Sequence, residues 1–453
     1  MPYVGGIFHP TGFPAYAIAG WLFTHVFACG NVAWRMSEFS ALCAALATLL
    51  ASRVARRLGA DALSANIGAL AIASMPIVWQ HSTRAGVNAF ALLVLASAVW
   101  CALAGRLPAF ALCAGLALAS HLSDIWMLPG LVLVAVPALR ARPDRVWATL
   151  GMLAGFVVGL ATFAYLPVVS ALNGVLQRDP TADLNIPYHP IWDYDHPQTP
   201  AGFIRLVRGA DFRASDSLAG VFDLRVLGGA LQTFALTANA QCTLLGITLM
   251  LVALWALRGR ALTVGGLIVL AFGVFPFARA YALLDDPPKY YLIACWVFGV
   301  LMAVGTSALV SRVRIAPYVV GFVVIALNAR AAPIYLAQRT DISAEQFISN
   351  LISVTPGDAL IVAPWYYATP LYYGKFVEQR LGGRRIVTNL EPAEIEVLAR
   401  THTVFHFPLG GDNTIPGADV IPSVLTSPLM VRVVSHQAEP AQRLIQKTAP
   451  PRA

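Results

Sequence analysis

The sequence has little charge for its length. Asp, Glu, Lys and Arg make up 12% of its 453 residues, whereas hydrophobic residues make up 58% and the mean hydropathy is +0.67. A soluble globular domain carries about 25% charged residues. The shortage of charge excludes an ordinary soluble domain, because water cannot be the solvent for most of this surface. The chain is therefore predicted to be a polytopic membrane protein.

The sequence also lacks the patterns of several common sites. Its six cysteines are isolated, without the Cys-x-x-Cys or Cys/His spacing of a metal site, and are expected to be small core residues. No basic run is interleaved with aromatic residues, so the net charge of +8 does not indicate nucleic-acid binding. The pairs Gly382-Gly383 and Gly410-Gly411 lack the spacing of a phosphate-binding fingerprint.

What the sequence does contain is a series of apolar stretches, each near the 20 residues that cross a bilayer as a helix. The stretch 107–138 is too long for one helix and short for two, and His121 and Asp124 lie in a polar group at its middle. Two half-length helices meeting at this break are therefore expected. Residues 13–28 are predicted to form an interfacial helix. The predicted membrane segments are 33–52, 62–80, 86–104, 107–138, 147–169, 236–257, 262–283, 290–310 and 316–336.

Arginine clusters mark alternate ends of these segments, and the positive-inside rule assigns such ends to the cytoplasm. The opposite side then holds Met1, the loop 170–235 and everything after residue 337. No basic segment precedes an apolar core at the start, so no signal peptide is predicted, and the outside position of Met1 indicates a missing upstream helix. The clusters are Arg53 with Arg56 and Arg57, Arg106, Arg140 with Arg142 and Arg145, Arg258 with Arg260, and Arg312 with Arg314.

A motif with two prolines and a glycine opens the block His9 to Arg35. Its residues His9, Pro10, Gly12 and Pro14 predict a tight turn, with Pro14 in the first turn of the next helix. The block resembles a family of GT-C-type membrane glycosyltransferases related to protein O-mannosyltransferases, which has His-Pro-x-Gly-Tyr-Pro here. Further similar stretches follow in the order of the family: 85–89, 115–122, 165–167, Trp192, 197–203, 286–291, 356–358 and 364–373.

The resemblance implies an enzyme that uses a polyprenyl-phosphate sugar, and the sequence departs from the family in two places. The family's Asp-Ser-Gly-Glu motif, which follows a first helix and precedes the His-Pro turn, is not among these residues. The Glu and Tyr of its Ala-Glu-Val-Tyr are Gly86 and Asn88 here. The chain is therefore expected to lack its catalytic carboxylate and to bind the donor without transferring the sugar. If it does transfer the sugar, Asp193 or Asp195 is the candidate for the catalytic carboxylate.

Transfer from a lipid phosphate needs a cation for the phosphate and a carboxylate to activate the acceptor hydroxyl. The candidates for binding the donor phosphate are Arg35, Arg84 and His121. For Arg35 the alternative is an interfacial ion pair with Glu38. For Arg84 the alternative is a side chain that extends to the membrane surface. For His121, which has Asp124 three residues on, the alternative is a buried histidine satisfied by a neighbouring serine.

The predicted outer loop 170–235 is rich in acidic and aromatic residues. Aromatic rings stack on apolar sugar faces, so Trp192 and His196 are candidates for binding the acceptor or the sugar. Asp193, Asp195 and His196 could also hold a divalent cation, the alternative being an ordinary loop; no other cofactor is indicated. A further charged cluster is expected to be a solvated turn rather than a ligand contact: Asp285, Asp286 and Lys289.

After residue 337 the composition becomes that of a soluble unit. Strands alternating with helices predict a small parallel α/β domain over 337–436, followed by a disordered tail over 437–453. The predicted helices are 343–353, 366–381 and 391–400, and the predicted strands are 359–363, 385–388 and 402–407.

Together these features predict an α-helical polytopic membrane protein with a GT-C-like domain over 1–336 and a small C-terminal α/β domain. The predicted function is transfer of a sugar from a polyprenyl-phosphate donor to a protein or glycan acceptor, on the periplasmic face of a bacterial inner membrane. The alternative is a non-enzymatic membrane protein, either a lipid-linked-glycan transporter or an assembly partner.

Overall fold

The described residues up to 337 are mainly helical, and helices alternate with strands after residue 337. The computed structural model describes residues 1–210, 219–280, 287–310, 313–408, 414–426 and 428–437. The helices of the first part are α1 Pro14–Val26, α2 Val32–Arg57, α3 Ala62–Ser74, α4 Pro76–Ser82, α5 Val87–Leu103, α6 Leu107–Ser120, α7 Leu128–Arg140, α8 Arg145–Leu160, α9 Tyr165–Val175, α10 Pro200–Val207, α11 Leu224–Ala256, α12 Ala261–Phe272, α13 Val274–Ala280, α14 Leu292–Val310, α15 Ala316–Asn328 and α16 Ala332–Ala337.

Each predicted membrane segment coincides with helix. By length and composition, seven helical runs in the described part of the chain could cross a membrane, or eight if α3 and α4, bent by 66°, form one span. The shorter apolar helices α5 and α6 account for the remaining predicted segments. The prediction of a multi-pass α-helical membrane protein is confirmed. The outer loop is shorter than predicted, because α9 continues to Val175 and α11 already begins at Leu224.

The centre of the bundle is α14, whose residues from Leu292 to Thr306 are all buried. Helices approach α14 closely where glycine leaves no side chain in the way, which is typical of packing between membrane helices. A Cβ on Gly68 of α3 would lie 2.5 Å from the carbonyl oxygen of Gly299. The indole of Trp296 donates a 2.7 Å hydrogen bond to the carbonyl of Ala47 in α2. These contacts tie α2 and α3 to α14.

The ends that carry the arginine clusters lie together. Arg260 donates to the carbonyl of Arg57 at 3.1 Å, and the amide of Asp61 donates to Ser307 Oγ near the end of α14. Glycine contacts show that α7 runs antiparallel to α12, which brings Arg140 towards the same end. Likewise α6 and α8 run parallel, so Arg106 and Arg145 lie at this end too. Arg312 falls outside the described residues, while Arg314 follows α14.

The predicted break within residues 107–138 is confirmed. α6 ends at Ser120, His121 is extended (φ −153°, ψ 117°), and the 3₁₀ helix Leu122–Met127 leads into α7. With 14 and 13 residues, α6 and α7 are each about 20 Å long, short of the ~30 Å hydrocarbon core. Because both helices meet the arginine end at their other termini, His121 lies at the opposite end of the bundle.

The C-terminal unit contains a five-stranded sheet in the order β2-β1-β3-β5-β4. The strands β1, β2 and β3 are parallel, as predicted, whereas β5 and β4 add antiparallel strands that the sequence pattern did not predict. The predicted tail 437–453 lies outside the described residues except for Gln437. The elements are α17 Ser343–Val354, β1 Leu360–Val362, α18 Trp365–Phe376, β2 Arg385–Val387, α19 Pro392–Ala399, β3 Val404–His406, β4 Ala418–Thr426 and β5 Leu429–Ser435.

This unit packs on the end of the bundle opposite the arginine clusters. The hydroxyl of Tyr373 in α18 accepts a hydrogen bond from the amide of Ala33, at the start of α2 and far from its arginines. Trp192 of the outer loop packs edge-on against Phe376, with ring centroids 5.0 Å apart. The amide of Ile7 donates to the carbonyl of Ile191 at 2.6 Å. Three segments remote in sequence thus cover one end of the bundle.

Candidate functional site

A polar pocket opens beside the break between α6 and α7. The extended backbone at His121 ends the helix, and the ring of His121 turns back so that its Nδ1 lies 2.7 Å from Ser123 Oγ. The hydroxyl of Ser120 donates to the carbonyl of Leu116 at 2.6 Å, which closes the end of α6. The predicted serine partner of His121 is therefore Ser123, and this bond orients the ring without removing it from the pocket wall.

The pocket is small and partly open, with a cavity volume of about 30 Å³, and lies between α5, the 3₁₀ helix Leu122–Met127, α13 and the start of α14. Its polar wall combines one carboxylate, one ammonium, one imidazole, one amide and two hydroxyls. Its apolar wall includes Leu92, Met127, Val274 and Ile293. The polar side chains are Asn88, His121, Ser123, Asp124, Lys289 and Tyr290. Polar groups of both signs therefore adjoin an apolar surface in this pocket.

The acid and the amine of this pocket are Asp124 and Lys289. Asp124 lies in the first turn of the 3₁₀ helix, and its Oδ2 is buried with no hydrogen-bond partner among the described residues. The Nζ of Lys289 lies 5.4 Å from the centre of the Tyr290 ring. Lys289, which was expected in a solvated turn, lies in the 3₁₀ helix Pro287–Tyr291, is partly buried and lines the pocket. Asp285 and Asp286 lie outside the described residues.

The motif around His9 forms the neighbouring wall. Pro14 begins α1, and Gly12 has φ 83° with a Leu166 methyl 2.9 Å from where a Cβ would stand. The ring of His9 lies 5.1 Å from that of Phe13, which lies 5.2 Å from that of His121. The motif therefore positions a row of rings between the pocket and the C-terminal unit, where Trp365 lies 6.4 Å from His9.

The charge state of His9 follows from this position. Burial of the ring lowers the pKa of His9, and the hydrogen bond between its Nδ1 and the carbonyl of Pro10, at 2.8 Å, opposes that effect. The positive charge of Lys289 lowers the pKa further. Because the result lies below 6.5, His9 is neutral at pH 7.

Arg35 and Arg84 lie apart from the pocket-lining residues. The guanidinium of Arg35 donates to the backbone carbonyls of Thr24, Ala28, Cys29 and Gly30 at 2.9–3.2 Å, and so holds the chain that follows α1. Within the described chain its partners are these carbonyls rather than Glu38, so the expected ion pair is wrong.

Arg84 is exposed between α4 and α5. The helix before it, α4, contacts α16. Of the three predicted phosphate contacts, His121 alone lines the pocket.

The acids of the outer loop are engaged by neighbours. Asp193 accepts hydrogen bonds from Ser170 and His196, and Asp195 pairs with the Nε of Arg205 at 2.8 Å. Trp192 is 6% exposed, so its packing against Phe376 leaves no ring face for a sugar, and its predicted role is wrong. In the described residues, no three or more His, Cys, Asp and Glu side chains come close enough to hold a metal ion.

Sequence reasoning missed three features of this end of the molecule. Lys289 could have been suspected, because it is a cation on the side that the positive-inside rule leaves poor in lysine and arginine. Asn88 was noted only as a departure from a family pattern. The half-buried pair of Asp179 and His189, with Oδ2 and Nδ1 2.7 Å apart, spans ten residues of loop and had no local signal.

Comparison with known proteins gives one sequence match and three distant structural ones. Residues 3–143 match the family model described as "Protein O-mannosyl-transferase TMEM260 N-terminal domain". No curated protein sequence matches the chain.

Among solved structures, the oligosaccharyltransferase of Archaeoglobus fulgidus, crystallised with zinc and sulfate, is 14% identical, with a TM-score of 0.46 over 84% of this chain. The chain spans about half (54%) of the length of that protein.

Two further structures are of ArnT from Cupriavidus metallidurans. The apo form is 13% identical, with a TM-score of 0.37 over 96% of this chain and 89% of that one. The form bound to undecaprenyl phosphate is 16% identical, with a TM-score of 0.38 over 95% and 89%.

The matched segment contains the His9 motif and the helices α1 to α7, and it supplies His121 and Asp124 to the pocket. The resemblance predicted from the sequence is thus confirmed over residues 3–143, where the chain is similar to the N-terminal domain of a protein O-mannosyl-transferase.

Proposed function

We propose that the chain is a membrane glycosyltransferase that moves a sugar, with mannose as the first candidate, from a polyprenyl-phosphate donor to a hydroxyl of a protein or glycan acceptor. The observation that carries the proposal is that the segment related to protein O-mannosyltransferases supplies Asn88, His121, Ser123 and Asp124 to one polar pocket. We further propose that the pocket opens to the periplasm of a bacterial inner membrane and that the C-terminal unit lies on that side.

The chemistry of the pocket supports a lipid phosphate as ligand. The ammonium of Lys289 and the ring of His121 lie in one wall, where they can contact phosphate oxygens. The apolar side chains Leu92, Met127 and Ile293 offer a surface that suits the first isoprene unit. A phosphate in this position lies at the end of the bundle opposite the arginine clusters, and its lipid chain lies among the apolar helices.

The experiment is a transfer assay on the full chain in lipid nanodiscs. Polyprenyl-phosphate mannose with a radiolabelled sugar is offered together with either a peptide rich in serine and threonine or a neutral oligosaccharide. We expect time-dependent label in one acceptor, above the level in nanodiscs without protein. Binding of the donor without any transfer would favour the non-enzymatic alternative. The absence of both binding and transfer would contradict the proposal.

A further inference from the structure

One oxygen of the pocket has no role in the fold. The Oδ2 of Asp124 is buried without a hydrogen-bond partner among the described residues, in a 3₁₀ helix whose backbone already bonds to His121. A buried polar atom left in this way is unfavourable, and native proteins retain few of them. Asp124 is also one of the residues that line the cavity, together with Lys289, His121 and Asn88.

The acids of the outer loop are occupied by comparison. Asp193 is bound by Ser170 and His196, and Asp195 by Arg205. Asp179 accepts from Thr181 and His189, and a further acid, Asp183, pairs with Arg385 at 2.8 Å. Each of these carboxylates holds part of the loop or ties it to the C-terminal unit. Asp124 differs from these acids because it lines the pocket.

In contrast to the expectation from the sequence that the chain lacks a catalytic carboxylate, we propose that Asp124 is the catalytic base of the glycosyl transfer. This proposal rests on the proposed function and deepens it. The acceptor hydroxyl oxygen attacks the anomeric carbon of the donor, and the bond from that carbon to the phosphate oxygen breaks with its electron pair on the phosphate. The proton of the hydroxyl passes to Asp124. Lys289 offsets the charge of the leaving phosphate. A single displacement of this kind inverts the configuration at the anomeric carbon.

The variant Asp124→Asn tests this step, because it keeps the size of the side chain and removes the base. We expect kcat to fall by about 100-fold or more, the usual contribution of a positioned base, with binding of undecaprenyl phosphate within threefold of wild type. The acidic limb of the pH–rate profile should disappear. The matched control is Asp144→Asn, at the arginine end and paired with Arg142, which should leave kcat unchanged.

Three results would overturn the inference. The first is a kcat for Asp124→Asn within threefold of wild type, and the second is a parallel loss of lipid-phosphate binding and activity. If Asp124→Asn does not fold, Asp124→Glu is tested instead. The third result is then a pH–rate profile of Asp124→Glu whose acidic limb lies at the same pH as that of the wild type. Wild-type protein that transfers no sugar would instead contradict the proposed function, so the two failures are distinguishable.

Discussion

Lys289 is the residue whose place in the fold changes the interpretation of the site most. In the sequence it follows two acids and two prolines, which is typical of a solvated turn. In the structure the 3₁₀ helix Pro287–Tyr291 carries it to the start of α14, beside the break at His121. The break itself was predictable, because polar residues inside a long apolar run are a local signal. The position of Lys289 beside this break depends on packing between helices that are about 165 residues apart in the sequence.

The first prediction is that Lys289→Ala weakens the binding of undecaprenyl phosphate about 10- to 100-fold, because a hydrogen bond between charged groups is worth about 1.5–3 kcal/mol. Binding can be measured on the full chain in nanodiscs by native mass spectrometry. The matched control is Lys375→Ala, whose ammonium bonds to the carbonyl of Gly382 in the C-terminal unit. Equal affinities in the two variants would show that Lys289 does not contact the phosphate.

Among whole elements, those with a local signal were predicted and the others were not. Apolar length located every membrane helix, and apolar runs located β1, β2 and β3. The start of α11 was missed because Arg225 and the pair Gly228-Gly229 interrupt the apolar run. The strand β4 was missed because it contains Pro422, and a proline argues against a strand unless that strand lies at the edge of a sheet, as β4 does. The strand β5, which pairs with β4, was missed with it.

The outer loop before α10 is an element with a pH dependence of its own. The hydrogen bond to Asp179 raises the pKa of His189 above 6.5, although burial opposes it. Burial raises the pKa of Asp179, but the hydrogen bonds from His189 and Thr181 outweigh it and bring the value below 3.8. The pair therefore stabilises the folded loop fully between about pH 4 and 6.5. The contribution is lost as the pH rises through the pKa of His189, and also as it falls through that of Asp179.

The second prediction is that Asp179→Asn lowers the free energy of unfolding by about 1–3 kcal/mol at pH 6, and by less at pH 8.5. Melting temperatures of the purified chain at the two pH values measure this difference. The control is Asp419→Asn, which removes the carboxylate from an exposed pair with His436 and should change stability by less than about 0.5 kcal/mol. An equal loss at both pH values would contradict the assigned role of His189.

At the scale of the whole molecule, two ends of the bundle differ in composition. The described arginines of the five clusters lie at one end, and the His9 motif, the outer loop and the C-terminal unit meet at the other. Alternation of the clusters along the sequence was enough to predict the first end. The composition of the second end could not be predicted, since Ile7, Ile191 and Tyr373 belong to segments that come together only when the chain is folded.

The third prediction is that the arginine end is cytoplasmic and the C-terminal unit periplasmic, because Lys and Arg resist translocation when they flank membrane helices. Alkaline phosphatase fused after residue 340 should be active in bacterial cells, and a fluorescent protein that matures only in the cytosol should stay dark there. The matched fusions after residue 142, in the loop between α7 and α8, should give the opposite pair of results. If the two sites exchange their behaviour, the pocket at His121 opens to the cytoplasm and the donor must be sought on that side. If both sites report the same compartment, the bundle does not span the membrane in the order that its arginines indicate.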